Sequence, residues 1–255
     1  MNKSFDCNGL LGEWPFRRFY HGGMEGLRRV WDQAGIGAGA VSTLRSVFYN
    51  DPMEAEELLA EALKGTGCLH ILGVNPALPA AALSVDEAVE RFGIRGVRLY
   101  PGYHGYRLDD PCMDRLYVVL LKHRLPLVVS LRLEDERLNY LVKPRTLTTE
   151  ELTALPDRMP GVKILYTGIQ AYEATGMAAA FREKENLYLE TSWFKSAVHP
   201  FEDVTAVIPA EKVLYGSGYP LNCLQSTMTA LDHSTISEEA KAMILRENAA
   251  RFFLK

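Results

Sequence analysis

Charged and hydroxyl-bearing side chains alternate along several short apolar runs of this sequence. Arg98 and Tyr100 share one face of their run, and Ser130 and Arg132 share one face of another, because successive side chains of a strand point to opposite sides. Glu190 stands in a third such run. Arginine offers fork-like recognition of carboxylates, and hydroxyl groups orient polar groups. If these runs are brought together in one site, two arginines, several hydroxyls and one carboxylate suit a small polar anion, such as a sugar acid or another carboxylate.

His104 and Glu190 are the candidates for proton transfer. His104 lies in the stretch Tyr103-His104-Gly105-Tyr106, and an imidazole titrates close to neutral pH. Glu190 can act as a general base if burial removes it from water. Each has a structural alternative, since His104 can stabilise a turn and Glu190 can form an ion pair with Arg98. The sequence leaves these alternatives open.

Short strands alternate with longer helices along the whole chain. The predicted strands are Ser4–Leu11, Ile36–Thr43, Cys68–Val74, Gly96–Tyr100, Pro126–Leu131, Val162–Thr167, Asn186–Thr191 and Lys212–Ser217. The predicted helices include Pro52–Leu63, Val85–Phe92, Pro111–His123, Glu150–Leu155 and a last helix, Glu238–Phe253. Start signals for helices stand at Asp51-Pro52, Asp110-Pro111, Ser84-x-x-Glu87, Thr148-x-x-Glu151 and Thr235-x-x-Glu238.

Eight strand–helix units in about 250 residues are typical of a (β/α)8 barrel. A doubly wound open sheet is the rival fold, but the sequence has neither a G-x-G-x-x-G nor a Walker motif at a strand end. No Gly/Ser-rich or Pro-rich linker divides the chain. We therefore predict an α/β protein, a single (β/α)8 TIM barrel over residues 1–255 with an extra C-terminal helix. In such a barrel, chemistry takes place where the strands end.

The composition excludes several classes of protein. The chain has 255 residues, a formal net charge of -4 and 47% hydrophobic residues, which argues against disorder and against nucleic acid or an anionic membrane as the main partner. No apolar run is long enough for a membrane span. The N-terminus has no apolar signal core, and the four cysteines are scattered singly, so we expect reduced thiols and a cytoplasmic location.

The strand ends together resemble the amidohydrolase-related family of TIM-barrel metal-dependent hydrolases, the amidohydrolase 2 type. The most specific pieces are the block Gly96-Val97-Arg98-Leu99-Tyr100-Pro101, the turn Gly216-Ser217-Gly218-Tyr219-Pro220 and the ending Glu247-Asn248-Ala249-Ala250-Arg251-Phe252. The register that the resemblance implies points a set of side chains at the barrel mouth: Asn8, Arg98, Tyr100, Ser130, Arg132, Tyr166 and Glu190.

The resemblance also implies a metal site, and this sequence departs from the family at the ligand positions. The family's strand-one histidines correspond to Asn8 and Leu10, its strand-five histidine to Ser130, its strand-six histidine to Tyr166 and its strand-eight aspartate to Gly218. Leucine and glycine side chains cannot bind a metal, and amide or hydroxyl oxygens are weak donors beside imidazole and carboxylate. We therefore expect no metal or other cofactor.

Two hypotheses of function follow. The first is a metal-independent enzyme that acts on a small polar or anionic molecule by hydrolysis of a lactone, ester or amide, by isomerisation or by decarboxylation. The second is a catalytically inactive barrel that binds a small molecule or a protein. A zinc enzyme with unconventional ligands is a third and weaker hypothesis. Aromatic residues in Trp14-Pro15-Phe16-Arg17-Arg18-Phe19 fit either a ligand-stacking wall or a homodimer contact, and the sequence does not decide between them.

Overall fold

Eight parallel strands form a closed ring in the computed structural model, which describes residues 3–49, 51–135, 137–138, 142–196 and 198–254. The strands are β1 (Ser4–Leu11), β2 (Ile36–Thr43), β3 (Leu69–Val74), β4 (Gly96–Leu99), β5 (Leu127–Ser130), β6 (Ile164–Thr167), β7 (Leu187–Glu190) and β8 (Val213–Leu214). Each strand pairs with the next along the chain. The ring closes where Cys7 N donates to Tyr215 O at 2.9 Å and Gly218 N donates to Asn8 O at 2.9 Å. The predicted α/β barrel is confirmed.

Helices connect the strands on the outside of the ring. They are α1 (Met24–Gln33), α2 (Pro52–Leu63), α3 (Ala81–Phe92), α4 (Pro101–His104), α5 (Cys112–His123), α6 (Thr149–Arg158), α7 (Ala171–Gly176), α8 (Ala178–Glu183), α9 (Pro200–Thr205), α10 (Leu224–Asp232), α11 (Glu238–Ala242) and α12 (Asn248–Phe253). A π-helical segment, Met243–Glu247, joins α11 to α12. The extra C-terminal helix is therefore confirmed, with one wider turn inside it.

The C-terminal helix closes the bottom of the barrel, at the end opposite to the strand C-termini. The ring of Phe252 lies 5.2 Å from that of Tyr188, and the ring of Phe253 lies 6.1 Å from that of Phe5. Asn248 anchors the helix, because its Nδ2 donates to Ala210 O at 2.8 Å and to Val213 O at 2.7 Å. The Glu-Asn-Ala-Ala-Arg-Phe ending thus has a structural role at the bottom of the barrel.

Helix starts agree with the sequence at some positions and not at others. Asp51 caps α2 through Met53 N, and Thr148 forms a full capping box with Glu151 at the start of α6. Ser84 is wrong as a cap, because α3 already begins at Ala81. Asp110 and Thr235 are also wrong as N-caps. The N-cap of α5 is Pro111, and the N-cap of α11 is Ser237.

Two further observations concern disulfide bonds and membrane-spanning helices. All four cysteines are free thiols. In the described part of the chain, no helix combines the length and the apolar character that a membrane span needs. The cytoplasmic location stays a prediction.

Candidate functional site

Arg98 lies at the centre of the barrel mouth and joins three other strands. Its side chain is buried, and its Nε donates to Ser130 Oγ at 2.8 Å, its Nη1 to Asn8 Oδ1 at 2.8 Å and its Nη2 to Thr167 Oγ1 at 3.1 Å. These partners come from β5, β1 and β6, since parallel strands end at the same face of the barrel. The guanidinium therefore occupies the space between three strand ends.

Glu190 reaches the same centre from β7. Its Oε1 accepts hydrogen bonds from Gly168 N at 2.9 Å, Asn8 Nδ2 at 3.2 Å and Ser192 Oγ at 2.7 Å, and its Oε2 accepts one from Ser192 N at 2.5 Å. Burial raises the pKa of Glu190 above its ordinary value, while these donors and the charge of Arg98 act in the opposite direction. Glu190 is thus a buried carboxyl whose acceptor positions are already used by the protein.

Asn8 links the two charged groups. Its Oδ1 faces the Arg98 guanidinium and its Nδ2 faces Glu190, so each end of the amide meets the charge that suits it. Glycine at position 216 makes room for the carboxylate, because a Cβ there would lie 2.2 Å from Glu190 Oε2. We name this set the central network; its members are Asn8, Arg98, Ser130, Thr167, Glu190 and Ser192.

The open space above the central network is very small. A cavity of about 10 Å³ remains there, covered by Leu10, Leu133, Trp193 and Leu221. A cavity needs at least ~10–15 Å³ of such volume to hold one water molecule. Side chains of the protein itself therefore leave almost no open space directly above Arg98.

Arg132 lies at the edge of this mouth and is neutralised. Its Nη1 and Nη2 each lie 2.6 Å from a carboxylate oxygen of Glu173, and its Nη1 also donates to Gly168 O at 2.6 Å. Its guanidinium lies 5.5 Å from the ring centre of Trp193. Arg132 lines the small cavity of the mouth as the sequence predicts, while its guanidinium is bound to Glu173 of α7; a contact with a ligand stays a prediction.

The two tyrosines of the predicted site have different orientations. Tyr100 points inwards and is fully buried, and desolvation raises its pKa to about 12. The expected register of β6 is wrong by one residue, because the Tyr166 hydroxyl donates to Leu152 O at 2.5 Å in α6, outside the barrel. Thr167 points inwards instead and accepts from Arg98.

His104 packs between loops and not against the central network. Its Nε2 donates to Val47 O at 3.0 Å, and its ring lies 5.9 Å from that of Tyr100. Burial lowers the pKa of His104, and Nδ1 is buried with no hydrogen-bond partner among the described residues. No hydrogen bond within the described ranges connects His104 to Arg98 or Glu190.

The sequence reasoning missed a buried carboxylate that stabilises the mouth. Asp6 accepts from Asn8 N at 2.9 Å, from Ser217 N at 2.9 Å, from Ser217 Oγ at 2.5 Å and from Trp31 Nε1 at 2.8 Å. Desolvation raises the pKa of Asp6. The signal was present in the sequence, since Asp6 stands two residues before Asn8 and Ser217 belongs to the Gly-Ser-x-Tyr-Pro turn. Asp6 holds β1 against the segment after β8.

The metal that the family resemblance implies does not fit these donors. The oxygens of Asn8 and Ser130 face the Arg98 cation, and Leu10 packs in an apolar cluster. Gly218 has a φ of +62°, and a Cβ there would lie 2.6 Å from Asn222 Nδ2, so an aspartate would require the Asn222 side chain to move. Within the residues that the structure describes, no three His, Cys, Asp or Glu side chains are grouped as a metal site.

Comparisons with known proteins give a family and a fold. The amidohydrolase family model matches residues 54–254. The 5-carboxyvanillate decarboxylase LigW of Sphingomonas paucimobilis superimposes with a TM-score of 0.75 at 16% identity, over 98% of both chains. A 2,6-dihydroxybenzoate decarboxylase from Rhizobium gives 0.76 at 16% identity, over 99% of both chains.

A dihydroxybenzoic acid decarboxylase from Polaromonas sp. JS666, solved with manganese and 2-nitroresorcinol, gives a TM-score of 0.73 at 16% identity. That match covers 99% of this chain and 97% of the decarboxylase. At this identity the three structures establish a shared fold alone. No curated protein matches the sequence.

Proposed function

Since the chain belongs to the amidohydrolase family, we propose that it is a metal-independent member that binds a small polar or anionic molecule on the face where the strands end. Binding, and not turnover at the barrel centre, is the function that the geometry supports best. A shared fold does not by itself imply a shared function, so the proposal depends on the particular residues of this site.

The observation that carries this proposal is the position of Arg98. Its guanidinium donates to Asn8, Ser130 and Thr167, which come from strands where the family resemblance implies metal ligands. A fixed cation therefore lies among donors that would otherwise surround a metal. The cavity of about 10 Å³ beside it is too small for a substrate, so a ligand has to bind further out on this face.

The candidate acid and base also favour binding over catalysis. Glu190 accepts four hydrogen bonds from the protein, and His104 donates to a backbone carbonyl at some remove from the network. A general base must come within ~2.6–3.2 Å of the proton that it removes. The carboxylate of Glu190 is occupied by these bonds, whereas the Nδ1 atom of His104 has no hydrogen-bond partner among the described residues but is buried beside Tyr100.

Charge and the solved relatives both indicate the class of ligand. The three relatives are, by their names, decarboxylases of aromatic carboxylic acids. Arg17, Arg18 and Arg45 line one cavity on this face and Arg132 and Arg145 line another, and arginine recognises carboxylates through paired hydrogen bonds. Small carboxylates are therefore the first compounds to test.

An enzyme remains the second candidate function, and one observation favours it. Glu190 has a raised pKa beneath the residual cavity, and raised carboxyl pKa values are frequent at catalytic sites. This candidate requires that Leu133 and Leu221 move away, so that a small anionic substrate reaches Arg98 and Glu190.

Elemental analysis and a ligand panel test the proposal. Protein purified without chelator is expected to contain well below one equivalent of zinc or manganese, and small carboxylates are expected to raise its melting temperature while the matching amides do not. A ligand at 100 times its Kd adds about 2.7 kcal/mol to stability, which is readily measured. Stoichiometric metal contradicts the proposal, and turnover of a carboxylate or lactone that Glu190→Gln abolishes favours the enzyme instead.

A further inference from the structure

A much larger cavity lies at the rim of the same face, beside the end of β1. Its volume is about 500 Å³, within the range of ~300–1,000 Å³ that small-molecule sites have. One wall is the loop after β1, which closes on itself where Gly12 N donates to Gly22 O at 3.1 Å. The other wall is α2. We name this cavity the rim cleft and define it by Glu13, Arg17, Arg18, Arg45, Leu58 and Leu59.

The side of the rim cleft that α2 provides is apolar and partly open to water. Leu58 is 52% exposed, whereas its neighbour Leu59 is buried. Met24 at the start of α1 adds a further apolar contact. Covering such a surface is favourable by about 25 cal/mol per Å², so this wall suits the apolar body of a ligand.

The opposite side of the rim cleft carries an excess of positive charge. Glu13 neutralises Arg45, since its oxygens lie 2.5 Å from Nε and 2.7 Å from Nη2. Arg17 forms an ion pair with Glu134, with Nη2 lying 3.6 Å from Oε1. Arg18 forms no ion pair with any residue of the described ranges, and its guanidinium lies 5.5 Å from the ring centre of Tyr20. One guanidinium is therefore free to bind an anion.

The rim cleft also borders the closed barrel centre. Arg17 Nη2 donates to Leu221 O at 2.9 Å, and Leu221 covers the central cavity. Trp14 lines the rim cleft, and its Nε1 donates to Glu134 at 2.7 Å. Tryptophan fluorescence therefore provides a direct signal for occupation of the cleft.

We propose that the rim cleft binds an amphipathic carboxylate, with the carboxylate against Arg18 and the apolar body against Leu58. This inference rests on the proposed function and gives its ligand a site and a chemical class. It follows from one uncompensated guanidinium and one exposed apolar wall on opposite sides of a cavity of suitable volume.

Titration calorimetry with 4-phenylbutyrate and octanoate tests the inference, with 4-phenylbutanamide as the neutral control. Arg18→Gln is expected to weaken the Kd of both acids about fivefold to tenfold, because it removes one charge-assisted hydrogen bond at a partly exposed site. Leu58→Gln is expected to weaken it about threefold or more. Arg115→Gln on α5 and Leu83→Gln on α3 are the matched controls, since both residues are exposed and lie outside the rim cleft; they should leave the Kd unchanged. Binding should also change Trp14 fluorescence, and Trp14→Phe should remove that change.

The possible results separate this inference from the proposed function. Acids that bind with the same Kd in wild type, Arg18→Gln and Leu58→Gln place the ligand elsewhere and overturn the rim cleft alone. Equal affinity for the acids and the amide overturns the assigned role of Arg18. If neither these acids nor any other small carboxylate binds the wild-type protein, both proposals are wrong.

Discussion

Arg98→Met removes the charge from the barrel centre while it keeps most of the side chain's length and apolar stem. The guanidinium makes three hydrogen bonds to buried side-chain oxygens. At about 1 kcal/mol net for each bond, their loss amounts to about 3 kcal/mol. Breaking one partner out of a buried charge network costs about 3–5 kcal/mol, because the other charge stays behind uncompensated. We therefore expect a loss of about 3–5 kcal/mol in the free energy of unfolding at neutral pH.

The pH dependence of this loss identifies its cause. The pKa of Glu190 is already raised above its ordinary value of 4.5, and the charge of Arg98 is one of the groups that hold it down. Without Arg98 the folded-state pKa of Glu190 rises further. A group with a raised folded pKa contributes stability below its unfolded pKa and loses that contribution as the pH rises through the folded pKa. The loss in the free energy of unfolding that Arg98→Met causes must therefore be larger at pH 7 than at pH 4.5.

Urea unfolding followed by circular dichroism measures both quantities, provided that the m-value is unchanged. The double variant Arg98→Met/Glu190→Gln should recover about 1–3 kcal/mol, since it removes the stranded charge. Arg28→Met is a suitable control, because Arg28 donates to two backbone carbonyls, those of Gly37 and Thr66. Its deficit should be the same at both pH values. A loss below about 1 kcal/mol for Arg98→Met, or an equal loss at both pH values, refutes this reasoning. If the methionine variant fails to fold, Arg98→Lys is measured in its place.

Three further outcomes are expected. Gly216→Ala should lower the free energy of unfolding by at least about 2 kcal/mol, because its Cβ would lie 2.2 Å from Glu190, whereas Gly176→Ala has no neighbour within 4 Å and should be neutral or stabilising in urea unfolding. Thr167→Val should weaken the central network and Tyr166→Phe should not, so Arg98→Met should lower the free energy of unfolding less in the first background than in the second; an equal loss would show that Thr167 does not interact with Arg98. Treatment with EDTA followed by dialysis should leave the melting temperature unchanged, and a drop that zinc or manganese reverses would show that a metal stabilises the fold.

Much of the fold could be predicted from the sequence because its elements have clear local patterns. The bounds of β1, β2 and α2 agree with the prediction residue by residue. Strand ends fail where pairing and not local pattern sets them, so β8 shrinks to Val213–Leu214. Ser84 shows the same limit for helices, since its hydroxyl donates to Ala80 O inside a helix that starts earlier.

The side chains of the site could be predicted only in part. Arg98, Asn8, Ser130 and Glu190 do converge, as the register implied by the family resemblance predicts. Tyr166 could not be placed, because barrel strands are apolar on both faces and their residues therefore do not show which face is inside. The small volume of the central cavity was also beyond prediction, since loop residues far apart in the sequence cover it.

The residues around Arg98 depend on one another, and this bears on the metal-independent function that we propose. Zinc and similar transition metals are bound mainly by thiolate, imidazole and carboxylate donors, whereas a guanidinium carries only hydrogen-bond donors and is matched by neutral oxygens such as those of Asn8 and Ser130. Glu190 on its own would be a costly buried charge, but its donors and the Asn8 amide satisfy it. Gly218 then leaves space that Asn222 uses. Changing one of these residues towards a metal ligand would leave Arg98 in the centre, repelling the ion, so a metal site here requires several replacements together.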